Sequence, residues 1–303
     1  MTKTLNEQQP TNPTYLDGEM TTRIGELFGK VLTLVSSAKK ETSSLVNAKN
    51  IEIDEEDLET MKDQLAKLTK PATYVMEISG QLCQGFKTQV AQVVRENFLN
   101  YFAMSLQSYK TLSESELLDA TCFFCDFIEH SFHSDTGMIA ELTNKFLEIF
   151  NWTGATTDVK QTLTYGMGVF SMFVPKGTFP TAAVFQALNS MVSAPDAFSE
   201  ENAVATESAL GAVGKLVYFQ KDGAVVIDAV TIGFLSKLPF KFEETEAQTT
   251  HQLFLEQVIA NNNNLITDAT KDSVLAAVNR LRTEKVEIEF LNEESKSLLA
   301  KLA

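Results

Sequence analysis

Apolar residues recur along this chain at intervals of three and four, the spacing of one buried face of an α-helix. In residues 138–150 the stripe is Ile139, Leu142, Phe146, Ile149 and Phe150. Five segments of this kind end in a short polar break: 73–86, 117–130, 159–173, 203–219 and 247–260. Aligned on their apolar positions, they bring Gln84, Asp126, Gly168, Gly211 and Gln257 into register, at steps of 42, 42, 43 and 46 residues. A second set of apolar-periodic helices, near 90–107, 138–150, 181–192 and 225–237, alternates with the first.

Each repeat is then a pair of antiparallel helices. Such a pair cannot bury its stripe alone, so neighbours stack and share a core. A two-helix unit with a period of about 40–47 residues is a HEAT repeat. The pattern therefore predicts an all-α HEAT-repeat solenoid, its antiparallel helix pairs forming a right-handed superhelix. About six to seven pairs would fill residues 21–303 behind a flexible polar tail at 1–20.

The breaks support this division. Asp158 stands before Val159, Asp196 follows Pro195, and Pro239 follows Leu238, where a missing N–H stops helix propagation. Gly166 and Gly168 sit inside an apolar helical run and do not join a strand to a helix, which argues against a phosphate loop and for close helix approach. Residues 225–232 are dense in Val, Ile and Thr, the composition of a strand, but their place in the repeat predicts a buried helix.

Charge narrows the partners. The chain carries 25 basic and 40 acidic residues, a formal net charge of −15. Nucleic acid and anionic lipid repel such a surface, and basic proteins are attracted to it. No 18-residue apolar run exists to insert in a membrane, and residues 1–18 lack the apolar core of a signal peptide. Cys83, Cys122 and Cys125 cannot close a disulfide framework, and the Cys122-x-x-Cys125 pair lies in an apolar run with no second metal half-site. They read as buried small hydrophobes in a reducing compartment.

The in-register segments also resemble a known family. Cys122-Phe-Phe-Cys-Asp-Phe-Ile-Glu-His130 is similar to a motif in late HEAT repeats of importin-beta-type receptors, in the importin five (importin beta-three) branch. Val159-Lys-Gln-Thr-Leu-Thr-Tyr-Gly-Met-Gly-Val169 resembles the next repeat of that branch. The following one resembles Glu201-Asn-Ala-Val-Ala-Thr-Glu-Ser-Ala-Leu-Gly-Ala-Val-Gly-Lys215, the most specific block. Leu238-Pro-Phe240, 247–262 and Leu291-Asn-Glu-Glu-Ser-Lys-Ser-Leu-Leu299 continue the order. Ile53-Asp-Glu-Glu-Asp-Leu-Glu59 stands where the branch carries an acidic insertion.

The resemblance implies a receptor of nucleocytoplasmic import. Its partners would be Ran GTPase, basic cargo such as ribosomal proteins and histones, and phenylalanine-glycine nucleoporins, in cytoplasm, nucleus and nuclear pore. The family's N-terminal repeats, with the principal Ran-binding surface, have no counterpart here, which implies a fragment or a reduced relative.

In that family the second helix of each repeat lines the concave side. On this assignment Asp126, Glu129, Asn202, Glu207, Lys215 and Glu256 are the candidate protein-binding residues. Asp54, Glu55, Glu56 and Asp57 form a candidate acidic loop that would attract basic cargo or compete with it, or equally an ordinary solvated linker with no binding role. Phe146, Phe150 and Phe185 could line outer grooves for nucleoporins, but the inter-helix core is the favoured reading for each.

No cofactor or metal site and no enzyme is expected. His130, His133 and His251 have no metal-ligand spacing, and no strained nucleophile turn is visible. The competing reading is a HEAT scaffold or adaptor of the phosphatase-regulatory or vesicle-coat type. Finally, Ile24, Leu27, Phe28, Val31 and Leu34 would be bare unless the tail or a partner covers them, because terminal repeats need polar caps.

Overall fold

The structure is a computed structural model. It describes residues 18–46, 55–221, 224–283 and 290–302, with side chains at all of these except 41–46, 55–59, 61–66 and 68–69. Every regular element among the described residues is helical, and the chain divides into two compact units, Met1–His133 and Ser134–Ala303.

In the first unit, α1 (Gly18–Val46) pairs with α2 (Glu55–Phe86). The short α3 (Ala91–Asn97) packs on α1, and the next pair is α4 (Leu99–Gln107) against α5 (Glu114–Asp126). The single helix expected over 90–107 is two, separated at Phe98, whose φ of −117° departs from the helical mean although its backbone stays in the right-handed region. Phe98 is wholly buried and its ring sits 6.4 Å from Phe28. A capping box starts α5: Ser113 Oγ accepts from Glu116 N–H, and the Glu116 carboxylate accepts from Ser113 N–H at 2.9 Å. Stacked rings then run through the core from Phe102 to Phe123, Phe127 and Phe132.

The second unit holds α6 (Thr136–Phe150), α7 (Thr157–Phe173), α8 (Thr181–Val192) and α9 (Ala203–Gln220). These are followed by α10 (Asp228–Leu235), α11 (Glu244–Ile259), α12 (Lys271–Thr283) and α13 (Glu293–Lys301). Helices α7, α9, α11 and α13 pack in succession as one layer, while α6 packs on α8 and α10 on α12 in the other. This is the alternation the period predicts. The start of α7 is capped by Thr156, whose Oγ1 accepts from Val159 N–H at 3.3 Å, and Asp158 lies in the first turn. The strand-like 225–232 segment is helical from Asp228, three residues later than the pattern suggests, after an extended Ile227, and it is not the buried helix expected, since Ile227 and Ile232 are 42% and 38% exposed. Helix α9 is buried at every position from 205 to 218, since it is covered by α7, α8, α10 and α11.

Two glycines set how closely this layer packs. A Cβ on Gly168 would lie 2.8 Å from the Ala212 Cα, which is backbone and cannot rotate away. A Cβ on Gly211 would collide with the Glu246 carboxylate. The register read from sequence thus marks contact points between neighbouring second helices.

Hydrogen bonds repeat with the same period. Gln220 Nε2 donates to the carbonyls of Ser171 and Val174, at 2.7 and 2.8 Å. One repeat on, the side-chain amides of Asn262 and Asn264 donate to the Tyr218 carbonyl, at 3.3 and 2.8 Å. In the other layer Arg280 donates to Leu238 and Leu235 carbonyls, at 2.9 and 2.6 Å. The last carbonyls of a helix have no partner within it. Here the following repeat supplies one.

Candidate functional site

The expected binding residues fall into three groups. Asp126 and Glu129 belong to the first unit. Asp126 ends α5, and Glu129 lies in the π turn Phe127–Ser131 that continues it. Both are half-buried. The Asp126 carboxylate fills the space that a Cβ on Gly80 of α2 would need. Burial pushes its carboxyl up to about 6, reinforced by the charge of Glu129 and opposed by His130 and a hydrogen bond from Gln84. Glu129 lies 3.9 Å from His130 Nε2.

Asn202 and Glu256 are half-buried parts of the second unit. Asn202 precedes α9, and its amide donates to Asp196 Oδ2 and O at 3.2 and 3.4 Å, which braces the loop before the helix. Glu256 on α11 accepts from Gln252 at 2.9 Å. Near these helix starts stand exposed glutamates that the repeat pattern did not single out: Glu200 and Glu201 before α9, Glu244 in α11, Glu293 and Glu294 in α13. Acids here suit the helix dipole and also present negative charge to solvent.

Glu207 and Lys215 correct the sequence reading. Both were expected on a binding surface, and both are interior, with 3% and 2% of their surface exposed. Glu207 accepts three backbone N–H groups, from Lys241, Phe242 and Glu243, at 2.6, 2.9 and 3.0 Å. It clasps the loop between α10 and α11 to α9. Burial raises its carboxyl above the ordinary value, and the three donors pull against that rise. Lys215 Nζ lies 3.6 Å from Glu246 Oε1 and 5.0 Å from the centre of the Tyr165 ring. Glu246 in turn accepts from Thr250 Oγ1 at 2.7 Å, and burial raises its carboxyl despite Lys215. Helical periodicity could not identify this cluster, because α9 is buried on all sides and has no polar face.

His251 is interior as well. Its Nε2 accepts from Phe240 N–H at 2.9 Å, so Nδ1 carries the proton and donates to the Phe290 carbonyl at 2.9 Å. Burial lowers its pKa to about 4. One neutral ring thus ties together the loops before α11 and α13.

Asp54 lies outside the described residues. Glu55, Glu56 and Asp57 are the first residues of α2, so from Glu55 onward the acidic stretch is helix and not loop. Phe146 and Phe150 are core residues, at 0% and 6% exposure, while Phe185 is half-buried. Cys83 and Cys125 are buried, Cys122 is half-buried, and no disulfide joins them. Among the described residues no group of three or more His, Cys, Asp or Glu is placed to hold a metal. No described helix is long and apolar enough to cross a membrane.

Stacked helix pairs with interior polar clasps define a helical-repeat protein. Comparison with known proteins adds to this class. No family model matches the chain. Over 135 residues, 42% of its length, the chain is 29% identical to Importin subunit beta-3 of Saccharomyces cerevisiae, and the matched stretch spans 12% of that protein. The likeness supports a relationship to importin-beta-type proteins.

Proposed function

We propose that this chain is a binding protein of nucleocytoplasmic protein import that recognises basic partners through its acidic exterior. The observation that carries the reading is the likeness to Importin subunit beta-3, which coincides with a helix-pair architecture of the expected period. The net charge of −15 and the exposed glutamates at the starts of α9, α11 and α13 favour Lys/Arg-rich protein surfaces over nucleic acid or anionic membrane.

Ran GTPase, ribosomal proteins or histones as cargo, and phenylalanine-glycine nucleoporins are the proposed partners, in cytoplasm, nucleus and nuclear pore. Asp126, Glu129 and Glu256 are the candidate contacts, Asn202 holds the α9 loop, and Asp54, Glu55, Glu56 and Asp57 add to the negative charge of the chain. Recognition rests on several charges together, because an exposed ion pair contributes only about 0–1 kcal/mol. The protein acts by binding and carries out no chemical step.

The test is capture from cell extract by the purified chain, with and without Ran held in its GTP state. Recovery of Ran, or of basic cargo with nucleoporins, supports transport. Recovery of phosphatase or coat subunits alone moves the function to scaffolding.

A further inference from the structure

A cleft of about 770 Å³ opens in the first unit between α1 and α4, within the size range of ligand-binding sites. Gly29 and Asn97 meet at one end of it, and an ion pair between Lys39 of α1 and Glu116 of α5 closes the other. The walls are mostly hydroxyls and amides, among them Thr33 and Ser36 on one side and Asn100 and Ser105 on the other. Met104 and Leu112 add apolar surface at the rim.

The closed end is negative apart from Lys39. The side chains of Lys39 and Glu116 are only 22% and 15% exposed. Burial raises the Glu116 carboxyl, but the bonds from Lys39 and Ser113 outweigh it and hold the group below its ordinary value. Asp119 stands behind, accepting from Thr73 Oγ1 at 2.7 Å. Burial raises its carboxyl, as do the charges of Glu116 and Glu77, while Lys39 opposes them. The Tyr101 phenol, which lines the cleft, is pushed up to about 12, first by burial and then by Glu116 and Asp119. Glu96 lines the cleft as well. A single lysine of the chain itself thus offsets Glu116 and Asp119 together.

We propose that this cleft is a docking groove for an extended, lysine-bearing segment of a basic protein, and that Lys39 occupies the place of the incoming ammonium until it is displaced. The inference rests on the basic-partner reading above and assigns it a groove and an internal competitor. Charge selects the occupant, since an anionic partner would meet Glu96, Glu116 and Asp119. Length suits it too: from Gly29 to Lys39 the α1 wall runs about 15 Å, which an extended strand covers in about five residues. The hydroxyl and amide walls match the backbone groups of such a strand, which has no partner strand of its own. Met104 and Leu112 fit the aliphatic stem of a lysine whose head reaches Glu116.

The test is fluorescence anisotropy of the full chain with a labelled peptide of alternating Lys and Ser, beside the same peptide acetylated on every lysine. Lys39→Met removes the competitor and should bind about two- to fivefold more tightly than the parent, the range one ion pair supplies. Glu116→Gln should bind more weakly, and its fold is kept because Gln serves equally in the capping box. Lys271→Met, an equal charge change in the second unit, should bind as the parent does. Asn100→Trp fills the groove from an exposed position without changing charge, and should abolish binding. The proposal is overturned if no variant binds the peptide, if the acetylated peptide binds equally, if Lys39→Met gains no more than Lys271→Met, or if Asn100→Trp binds as the parent does. Extract capture separates this from the wider reading. Basic cargo recovered by the parent, with peptide affinity untouched by Asn100→Trp, overturns the groove and leaves the transport reading in place. A parent that captures no basic protein while the peptide series behaves as expected supports the groove and removes transport.

Discussion

Gln220 holds Val174 from 46 positions further along the chain: its side-chain amide donates to the Val174 carbonyl at 2.8 Å, at the C-terminal end of α7. The same amide reaches the Ser171 carbonyl, and both bonds are buried. Gln220→Ala leaves two interior carbonyls without their donor. The expected loss is about 2–3 kcal/mol, measured as a shift of the urea unfolding midpoint. Gln220→Glu, which has no donor to offer, should cost at least as much.

Gly168→Ala sets two effects against each other. Replacing a helical glycine by alanine gains about 1 kcal/mol of backbone entropy. Here the new Cβ would stand 2.8 Å from the Ala212 Cα, so α7 and α9 must separate. Overpacking of this kind costs about 1–3 kcal/mol, and the obstacle is backbone, so destabilisation should win. A rise in thermal midpoint for this variant would refute the close-packing account.

The repeat was legible because stacking is periodic. Gly168 and Gly211, aligned from apolar spacing alone, both prove to be contact points with the next helix of the layer. The acidic and basic residues of α9 were misplaced for a related reason. A helix covered on every side loses the contrast between faces that makes polar residues readable as surface, so Glu207 and Lys215 looked exposed and are interior. The partners of Glu207 are backbone amides 34 to 36 positions away, and no side-chain pattern signals them. The break at Phe98 was equally hidden, since the apolar spacing continues through it.

Glu207→Gln keeps the shape of the clasp but replaces one acceptor oxygen with an NH2 group facing N–H donors. It should destabilise the chain by about 2 kcal/mol, with Glu207→Ala somewhat worse. Hydrogen exchange locates the effect. The amides of Lys241, Phe242 and Glu243 should lose protection before those of α7 do.

The His251 ring makes stability depend on pH. Its folded pKa is lowered to about 4, against an ordinary 6.5. Between these values the unfolded chain binds the proton and the folded chain does not, so stability rises with pH across that window. Acidification from the upper value to the lower should remove about 3 kcal/mol. Glu207 and Glu246, raised by burial, act in the opposite sense at the acidic end, because the folded chain keeps their protons more readily. The comparison is therefore between the parent and His251→Gln, whose stability should fall less steeply over the same range.

Asp126 offers a test of basic-partner recognition with its own pH signature. Its carboxyl is held up to about 6, and a Lys or Arg from a partner would favour the ionised form. Binding must then release a proton below that value, so affinity should drop as pH falls through 6, by roughly fourfold near pH 5.5. Asp126→Asn should bind more weakly at neutral pH, by up to about 1 kcal/mol, and lose this part of the pH dependence. Glu129→Lys should weaken binding further and flatten its dependence on salt. Titration calorimetry with Ran in its GTP state, and with a histone, measures both. Equal pH profiles for the parent and Asp126→Asn would remove Asp126 from the interface and leave the exposed glutamates of the second unit as the place to look.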